Sequence, residues 1–325
     1  MTQPTPIQFS IIIPVYNRPD EIRELLDSLL RQTYKDFEVI IVEDGSSVLA
    51  EKVTRDFMGK LNVKYFYKEN TGPGLSRNYG MERASGNYFI ILDSDVIVPE
   101  NYLQIVSEEL QNKYVDAYGG PDAAAEDFTP VQKAINYAMT SFFTTGGIRG
   151  KGDRFEKFHP RSFNMGISQE VFEKTGGFSP MRYGEDIDFS IRIMQAGFLT
   201  ALFRKAFVYH KRRNDFRSFF KQVEHSGEAR IALWHKHPGS LKAVHFFPAL
   251  FVAGASLSLL CAFFLSCTFG LLLYLIYFII LTLDATRQYK SLRLGILAAW
   301  ASFVMLTGYG WGFIKKILFN SQKNT

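Results

Sequence analysis

Cysteine is scarce: Cys261 and Cys267 are the two in 325 residues. Both fall inside a long apolar run, far from any spaced His or acid pattern, so they make no thiolate metal centre and read as packing residues. Charge is the second shortage. Residues 246–283 contain no Asp, Glu, Lys or Arg, and after a polar patch at 284–293 another apolar stretch covers 294–314. A membrane span needs about 20 apolar residues, so the first run suffices for a hairpin of two helices turning near 267–270. The spans expected are 246–266, 267–283 and 294–314. An all-buried helical core is the competing explanation, but globular helices break sooner and carry a polar face.

Residues 1–10 lack the basic n-region and apolar segment of an export signal, so the globular part is expected to stay on the cytoplasmic side of a cell (inner) membrane. Arg287, Lys290 and Arg293, between the second and third apolar stretches, fit a cytoplasmic position. Three full crossings would put Lys315 and Lys316 outside, so the last stretch is either a crossing or an interfacial or re-entrant segment. Acids are sparse over residues 204–242, where Asp215, Glu224 and Glu228 face a surplus of Lys and Arg. A basic segment beside apolar spans attracts anionic headgroups. Nucleic acid is not expected as a partner, because no nucleic-acid motif accompanies these charges.

Glycine is missing where a dinucleotide site would require it. A Gly-rich turn lets the backbone approach a pyrophosphate after the first strand. Here that turn reads Pro14-Val15-Tyr16-Asn17-Arg18, which argues against a dehydrogenase and against a phosphate-binding loop of the ATPase kind.

What the chain has is alternation. Residues 9–15 are a continuous apolar run suited to a strand buried on both faces, and residues 20–30 carry apolar side chains at helical spacing with Asp20 placed to cap them. The pattern continues with strands at 37–42, 63–67 and 88–92 and helices at 48–58 and 75–84. It predicts a mostly parallel sheet flanked by helices. Further along, helices are expected at 99–112, 131–143, 169–174 and 187–196, and strands at 115–118, 164–168, 199–203 and 206–209. The glycines of 146–153, set among Arg149, Lys151 and Asp153, suggest a mobile loop.

Asp93-Ser94-Asp95 follows the strand at 88–92, so two carboxylates stand at the C-terminal edge of a sheet, where open α/β sheets bind ligands. In an extended segment residues i and i+2 point the same way, letting both acids share a divalent cation or a sugar-nucleotide. Glu43-Asp44-Gly45-Ser46-Ser47 brings acid and hydroxyl groups to the same edge. There a carboxylate can accept from a base N–H or a ribose hydroxyl, or serve as an ordinary turn acid. Arg77 opens the helix before the acidic strand and can pair with Asp93 or with phosphate.

Five segments in order, Ile11 to Asn17, Val42 to Ser47, Gly74 to Asn78, Asp93-Ser94-Asp95 and Gly184-Glu185-Asp186, resemble the signatures of the family 2 inverting glycosyltransferases of GT-A fold. The resemblance covers residues 9–210 and implies a nucleotide-diphospho-sugar transferase fold followed by C-terminal transmembrane helices. It implies that Pro14, Tyr16 and Asn17 border the nucleoside and that Asp44 binds the base, usually uracil. Asp93 would touch the ribose side, Asp95 would ligate Mn²⁺ or Mg²⁺, and His210 would be a further metal ligand or a satisfied strand-end histidine. Asp186 matches the catalytic base, Glu185 orients it or binds acceptor, and Asn164 lies where the family contacts donor sugar or acceptor. Burial beside Tyr183, Ile187 and Phe189 is expected to raise the basicity of Asp186. Arg149, Lys151 or the run 211–213 are candidates to close over the leaving phosphates.

The implied partners are a nucleotide-sugar donor and a glycan or lipid-linked acceptor. The helix that grips a growing chain in processive synthases carries Gln-x-x-Arg-Trp, and Ala229 to Trp234 does not match it. A polyprenyl-phosphate acceptor is the stronger alternative, and an inactive nucleotide-sugar-binding scaffold the weaker. The expected division is a tail at 1–8, a catalytic domain at 9–212, a basic juxtamembrane helical segment at 213–244, a membrane region at 245–319 and a tail at 320–325.

Overall fold

The computed structural model describes residues 6–123, 128–145, 159–211 and 213–319. In chain order its first elements are β1 (Phe9–Val15), α1 (Pro19–Leu30), β2 (Phe37–Asp44), α2 (Glu51–Arg55), β3 (Val63–Lys68), α3 (Pro73–Met81), β4 (Tyr88–Leu92) and β5 (Val96–Ile97). There follow α4 (Tyr102–Asn112), β6 (Ala117–Gly119), β7 (Asp122–Ala123), α5 (Pro130–Thr140), α6 (Phe142–Thr145), β8 (Asn164–Ser168) and α7 (Gln169–Thr175). The last are α8 (Glu185–Gln195), β9 (Thr200–Leu202), β10 (Val208–His210), α9 (Phe216–Lys236), α10 (Phe247–Leu265), α11 (Phe269–Tyr289) and α12 (Leu292–Phe319). The chain divides into two compact units, residues 1–125 with 153–211 and residues 126–152 with 212–325. A continuous domain over 9–212 is therefore interrupted. Of segment 126–152, α5 belongs to the second unit, burying Ala134, Ile135, Tyr137 and Ala138 in its core.

The first unit is built on a seven-stranded sheet of order β3-β2-β1-β4-β8-β6-β9. β8 runs antiparallel to both its neighbours and the remaining pairings are parallel. β1, β2 and β4 are buried along their whole length, as their uninterrupted apolar runs require. Odd-numbered β1 residues Ile11 and Ile13 pack with Leu25, Leu26 and Leu29 of α1, while Ile12 faces Met81 of α3 and Phe189 of α8. Each such side chain contributes about 1.5–3 kcal/mol on burial. Gly80 lets α3 sit close on the sheet, since a Cβ there would stand 2.7 Å from Ile12 Cγ2.

Local chemistry adjusts the expected boundaries. No side-chain cap bond opens α1: Arg18 holds the cap position, Pro19 takes the first turn, and Asp20 lies inside the helix. The helix expected at 48–58 is only Glu51–Arg55. The Asn17 carboxamide oxygen accepts from the amides of Ser47 (2.8 Å) and Val48 (2.9 Å), and Glu43 accepts from the amide of Ala50 (2.7 Å). These bonds fix the chain in a turn ahead of the helix. A small second sheet of order β5-β10-β7 pairs Val96 with His210 antiparallel.

In the second unit α12 is the central helix. Its Ala298, Ala299, Ala301 and Val304 share a core with α5, with Phe219 and Val223 of α9, and with Leu281 and Ala285 of α11. Glycines allow close approach: a Cβ on Gly227 would stand 2.2 Å from the Tyr309 carbonyl, and one on Gly312 2.1 Å from that of Glu224. Among the described residues three helical stretches are long and apolar enough to cross a membrane: Ala243–Leu265, Phe269–Tyr289 and Leu292–Phe319. The third is one uninterrupted helix of 28 residues, about 42 Å long, without the break a re-entrant segment needs. Its apolar window is 44% buried, against 6% and 11% in the first two, so part of its hydrophobicity serves packing within the unit. Lys315 near its end meets Glu224 (3.2 Å) and Glu228 (2.9 Å) of α9, which offsets its charge. On α9, Arg213 just before it and Arg217, Lys221 and Lys236 within it are exposed, while Phe219, Val223, Ile231 and Leu233 are buried. Arg149, Lys151 and Arg212 lie outside the described residues.

Candidate active site

The site lies in the first unit, at the edge where β1, β2 and β4 end. Asp93 and Asp95 do not stand in an extended segment: Asp93 precedes, and Asp95 lies in, the turn between β4 and β5. The turn still directs both to one place. Because β5 pairs with β10 and the Lys211 amide donates to the Asp95 carbonyl (3.1 Å), His210 is carried to the acids. One ligand atom from each of Asp93, Asp95 and His210 lies within 4.8 Å of the others. His210 Nε2 is 3.2 Å from Asp95 Oδ1, and its ring stacks on Phe163 with centroids 5.2 Å apart. Two carboxylates and an imidazole within such a span are a donor set that fits Mn²⁺ or Mg²⁺ completed by ligand oxygens and water.

Both acids are already paired with guanidinium groups. Arg18 holds Asp95 Oδ2, and Arg77 Nη2 donates to Asp93 Oδ1 at 2.7 Å. Burial works to raise the Asp95 carboxyl, but His210 and Arg18 outweigh it and hold the group well below the ordinary carboxylate range. Arg77 is 3% exposed and also donates through Nη1 to Glu185 Oε1 at 3.0 Å, with its guanidinium 5.1 Å from the Phe178 ring. It thus ties the acidic turn to the start of α8.

A rigid frame fixes that tie. Asn78 and Phe178 exchange two hydrogen bonds of 2.8 Å, joining α3 to the segment before α8. Gly177, at φ +69°, is required there, since a Cβ would stand 2.3 Å from Asn78 Oδ1. Arg192 holds the same segment through the carbonyls of Thr175 (2.8 Å) and Gly177 (2.5 Å). Gly184 then turns through φ +79° into α8, whose first turn carries Glu185, Asp186 and Asp188 at the positive end of the helix dipole.

Glu185 and Asp186 differ in their electrostatics. Burial, reinforced by the neighbouring Asp186, outweighs Arg77 and raises the Glu185 carboxyl. For Asp186 burial is overcome by the Arg161 guanidinium, whose Nε donates at 2.6 Å, and by the Ile187 amide at 2.8 Å, so the group falls below its ordinary value. The expectation of a more basic Asp186 is therefore corrected. Tyr183 is 41% exposed and Phe189 belongs to the core beneath the sheet, and the Arg161 cation outweighs the burial on which the expectation rested.

The remaining expected residues divide into lining and framework. Tyr16 is 54% exposed at the edge, and Asn17, at φ +54°, binds the β1 turn to the β2 turn. Pro14 is buried inside β1 opposite Val42. Asp44 is 3% exposed; its oxygens accept from Lys68 (2.6 Å) and from the amides of Thr71 and Gly72 (both 2.9 Å). Desolvation notwithstanding, these donors lower its carboxyl below the ordinary value. It pins the loop after β3. Beside that loop a cavity of about 210 Å³ is lined by Asn70, Thr71, Gly72, Pro180 and Arg182. Asn164 is fully buried and its side chain is engaged by the framework: its oxygen accepts from Tyr102 (2.6 Å) and its amide donates to the Ala206 carbonyl (2.8 Å).

Sequence reasoning did not single out Arg18, Arg161 or Lys68 as site residues. Arg18 carried a usable signal, a cation in the turn leaving the first strand; Arg161 and Lys68 carried none.

The family description "Glycosyl transferase family 2" matches residues 10–176. An uncharacterized glycosyltransferase of Rickettsia typhi, RT0329, is 42% identical over 114 residues, covering 34% of this chain and 35% of that protein. The uncharacterized glycosyltransferase EpsJ of Bacillus subtilis is 27% identical over 189 residues, 56% of this chain and 54% of that protein. The chain thus spans about a third to about half the length of these relatives. Among solved structures, the mannosyltransferase PcManGT of Pyrobaculum calidifontis, in complex with GDP-Man and Mn²⁺, aligns with a TM-score of 0.65 at 17% identity, covering 96% of this chain and 87% of that one. S. aureus TarS 1-349 in complex with UDP aligns at 0.51 and 17% identity, covering 98% and 93%. At such identity the structural likeness speaks to the fold, which is GT-A. With the family match extending over half the sequence and its acids gathered at one sheet edge, the chain belongs to glycosyl transferase family 2.

Proposed function

We propose that this protein is a membrane-anchored, metal-dependent inverting glycosyltransferase that moves one sugar from a nucleotide-sugar, UDP-linked, to a hydroxyl of a glycan or lipid-linked acceptor. The observation that carries the reading is the junction at Arg77, which joins Asp93 of the acidic turn to Glu185 beside Asp186. Asp93, Asp95 and His210 would hold Mn²⁺ or Mg²⁺. A divalent ion bound there supplies Lewis-acid neutralisation of the charge developing on the departing diphosphate. Tyr16 and the Asn17 turn border the nucleoside, and the loop pinned by Asp44 forms the wall beside them. Asp186 takes the proton from the acceptor hydroxyl, and Glu185, held by Arg77, orients it. In this reading the apolar helices anchor the protein in the inner membrane with the catalytic unit on the cytoplasmic side, and the exposed cations of α9 meet anionic headgroups.

A second acceptor class has its own support. Arg161 lowers Asp186 and so weakens it as a base. An acceptor that is already ionised, such as a polyprenyl phosphate, needs less of one. The test is transfer from UDP-sugars and GDP-sugars to a hydroxyl lipid and to a polyprenyl phosphate, with and without Mn²⁺, reading the anomeric configuration by NMR. Inverted product lost in Asp186→Asn supports the hydroxyl acceptor, and product persisting in that variant with the phosphate alone supports the second class. Absence of metal-dependent turnover with every donor, or a retained configuration, overturns the proposal.

A further inference from the structure

Each carboxylate of the acidic turn carries a guanidinium, but the two arginines are held very differently. Arg77 is 3% exposed, bonded to Asp93 and Glu185 and laid against Phe178, so it cannot leave without opening the frame between α3 and α8. Arg18 stands at the cap position of α1, its side chain is 29% exposed, and its ion pair is with Asp95. With His210 on Asp95 Oδ1 and Arg18 on Oδ2, both oxygens of that carboxylate are engaged. A divalent cation approaching Asp95 therefore competes with Arg18.

We infer that Arg18 is a displaceable counter-ion which makes metal binding depend on the nucleotide. Alone, a cation must break a charge-assisted hydrogen bond and leave a guanidinium without an acceptor in a part-buried place, which weakens its binding on the order of ten- to a hundredfold. A nucleoside diphosphate arriving with the cation offers phosphate oxygens to the released guanidinium, whose planar fork suits them. The two ligands then bind with positive coupling, and the coupling is reciprocal. This keeps a bare ion from occupying the acidic turn, while a donor-bound ion is accepted. The inference rests on the functional reading above and adds to it an order of events and a residue.

The experiment is calorimetric titration of the full-length chain in detergent with Mn²⁺, alone and in the presence of saturating UDP or GDP. For the wild type, nucleotide is expected to tighten Mn²⁺ by about tenfold or more. Arg18→Met is expected to bind Mn²⁺ alone about tenfold more tightly than the wild type and to lose most of the coupling. Arg18→Gln serves in the same way should the Met variant fail to fold, as judged by its melting curve without metal. A merely structural role for Arg18 would weaken Mn²⁺ binding or leave it unchanged, and either result in a folded variant overturns the inference while leaving the functional reading standing. A wild type that binds neither Mn²⁺ nor either nucleotide overturns both.

Discussion

Replacing Arg77 by Met leaves two acids facing each other without the cation between them. The stem is nearly isosteric, so what is lost is chiefly the guanidinium, with its ion pairs and its place over the Phe178 ring. Two charge-assisted bonds, 2.7 Å to Asp93 and 3.0 Å to Glu185, are lost. Breaking a buried ion pair costs about 3–5 kcal/mol. The Asp93 side chain is 29% exposed and can turn to water, so the lower end applies, about 3 kcal/mol. For a unit of this size that lowers Tm by about 6–12 °C. The pH dependence has a definite sign. Glu185 titrates above its ordinary value because burial outweighs Arg77, so the folded state holds a proton the unfolded state has released. Stability from this group is present at low pH and is lost as pH rises through the folded pKa. Removing Arg77 raises that pKa further, so the Tm gap between variant and wild type should be narrower near about pH 5 than near about pH 8. Differential scanning calorimetry at both pH values, with Mn²⁺ excluded, makes the measurement. A Tm within about 2 °C of wild type, or a gap that widens on acidification, refutes the account of Arg77 as the tie between the two acids.

Asp186→Asn should lower transfer to a hydroxyl acceptor by about 10²–10⁴ while UDP and Mn²⁺ still raise the melting point, a pairing that activity assays and thermal shift read separately. Arg161→Met removes the cation that lowers Asp186, so the acid limb of the pH–rate profile should move to higher pH; a limb that stays in place assigns the titration to another group. Asn164→Ala takes the amide donor from the buried Ala206 carbonyl and leaves the Tyr102 hydroxyl with Tyr118 (3.1 Å) as its partner, and should cost about 1–3 kcal/mol of stability with KM for donor unchanged in the folded fraction, measured by urea unfolding and steady-state kinetics.

Hydrophobic periodicity made the sheet legible, because a strand buried on both faces must read as an unbroken apolar run whatever its neighbours are. β1, β2 and β4 stand where that pattern puts them. The meeting of Asp95 with His210 was implied by the family resemblance and not by periodicity, because it is made by the β5–β10 ladder, whose strands have two and three residues. α5 was legible as a helix but not as part of the second unit, since an apolar face announces burial without naming the partner. The site residues show the same limit more sharply. Asp44, Asn164 and Asp93 are equally polar in sequence, yet Asn164 spends its amide inside the protein, Asp44 binds a lysine and two backbone amides, and Asp93 keeps a face to solvent. What separates a binding group from a framework group is the hydrogen-bonding capacity left after the fold has taken its share. That remainder is fixed by tertiary partners such as Lys68, Tyr102 and Arg161, so a motif names the acids and amides that reach an edge while their neighbours decide which stay available for chemistry.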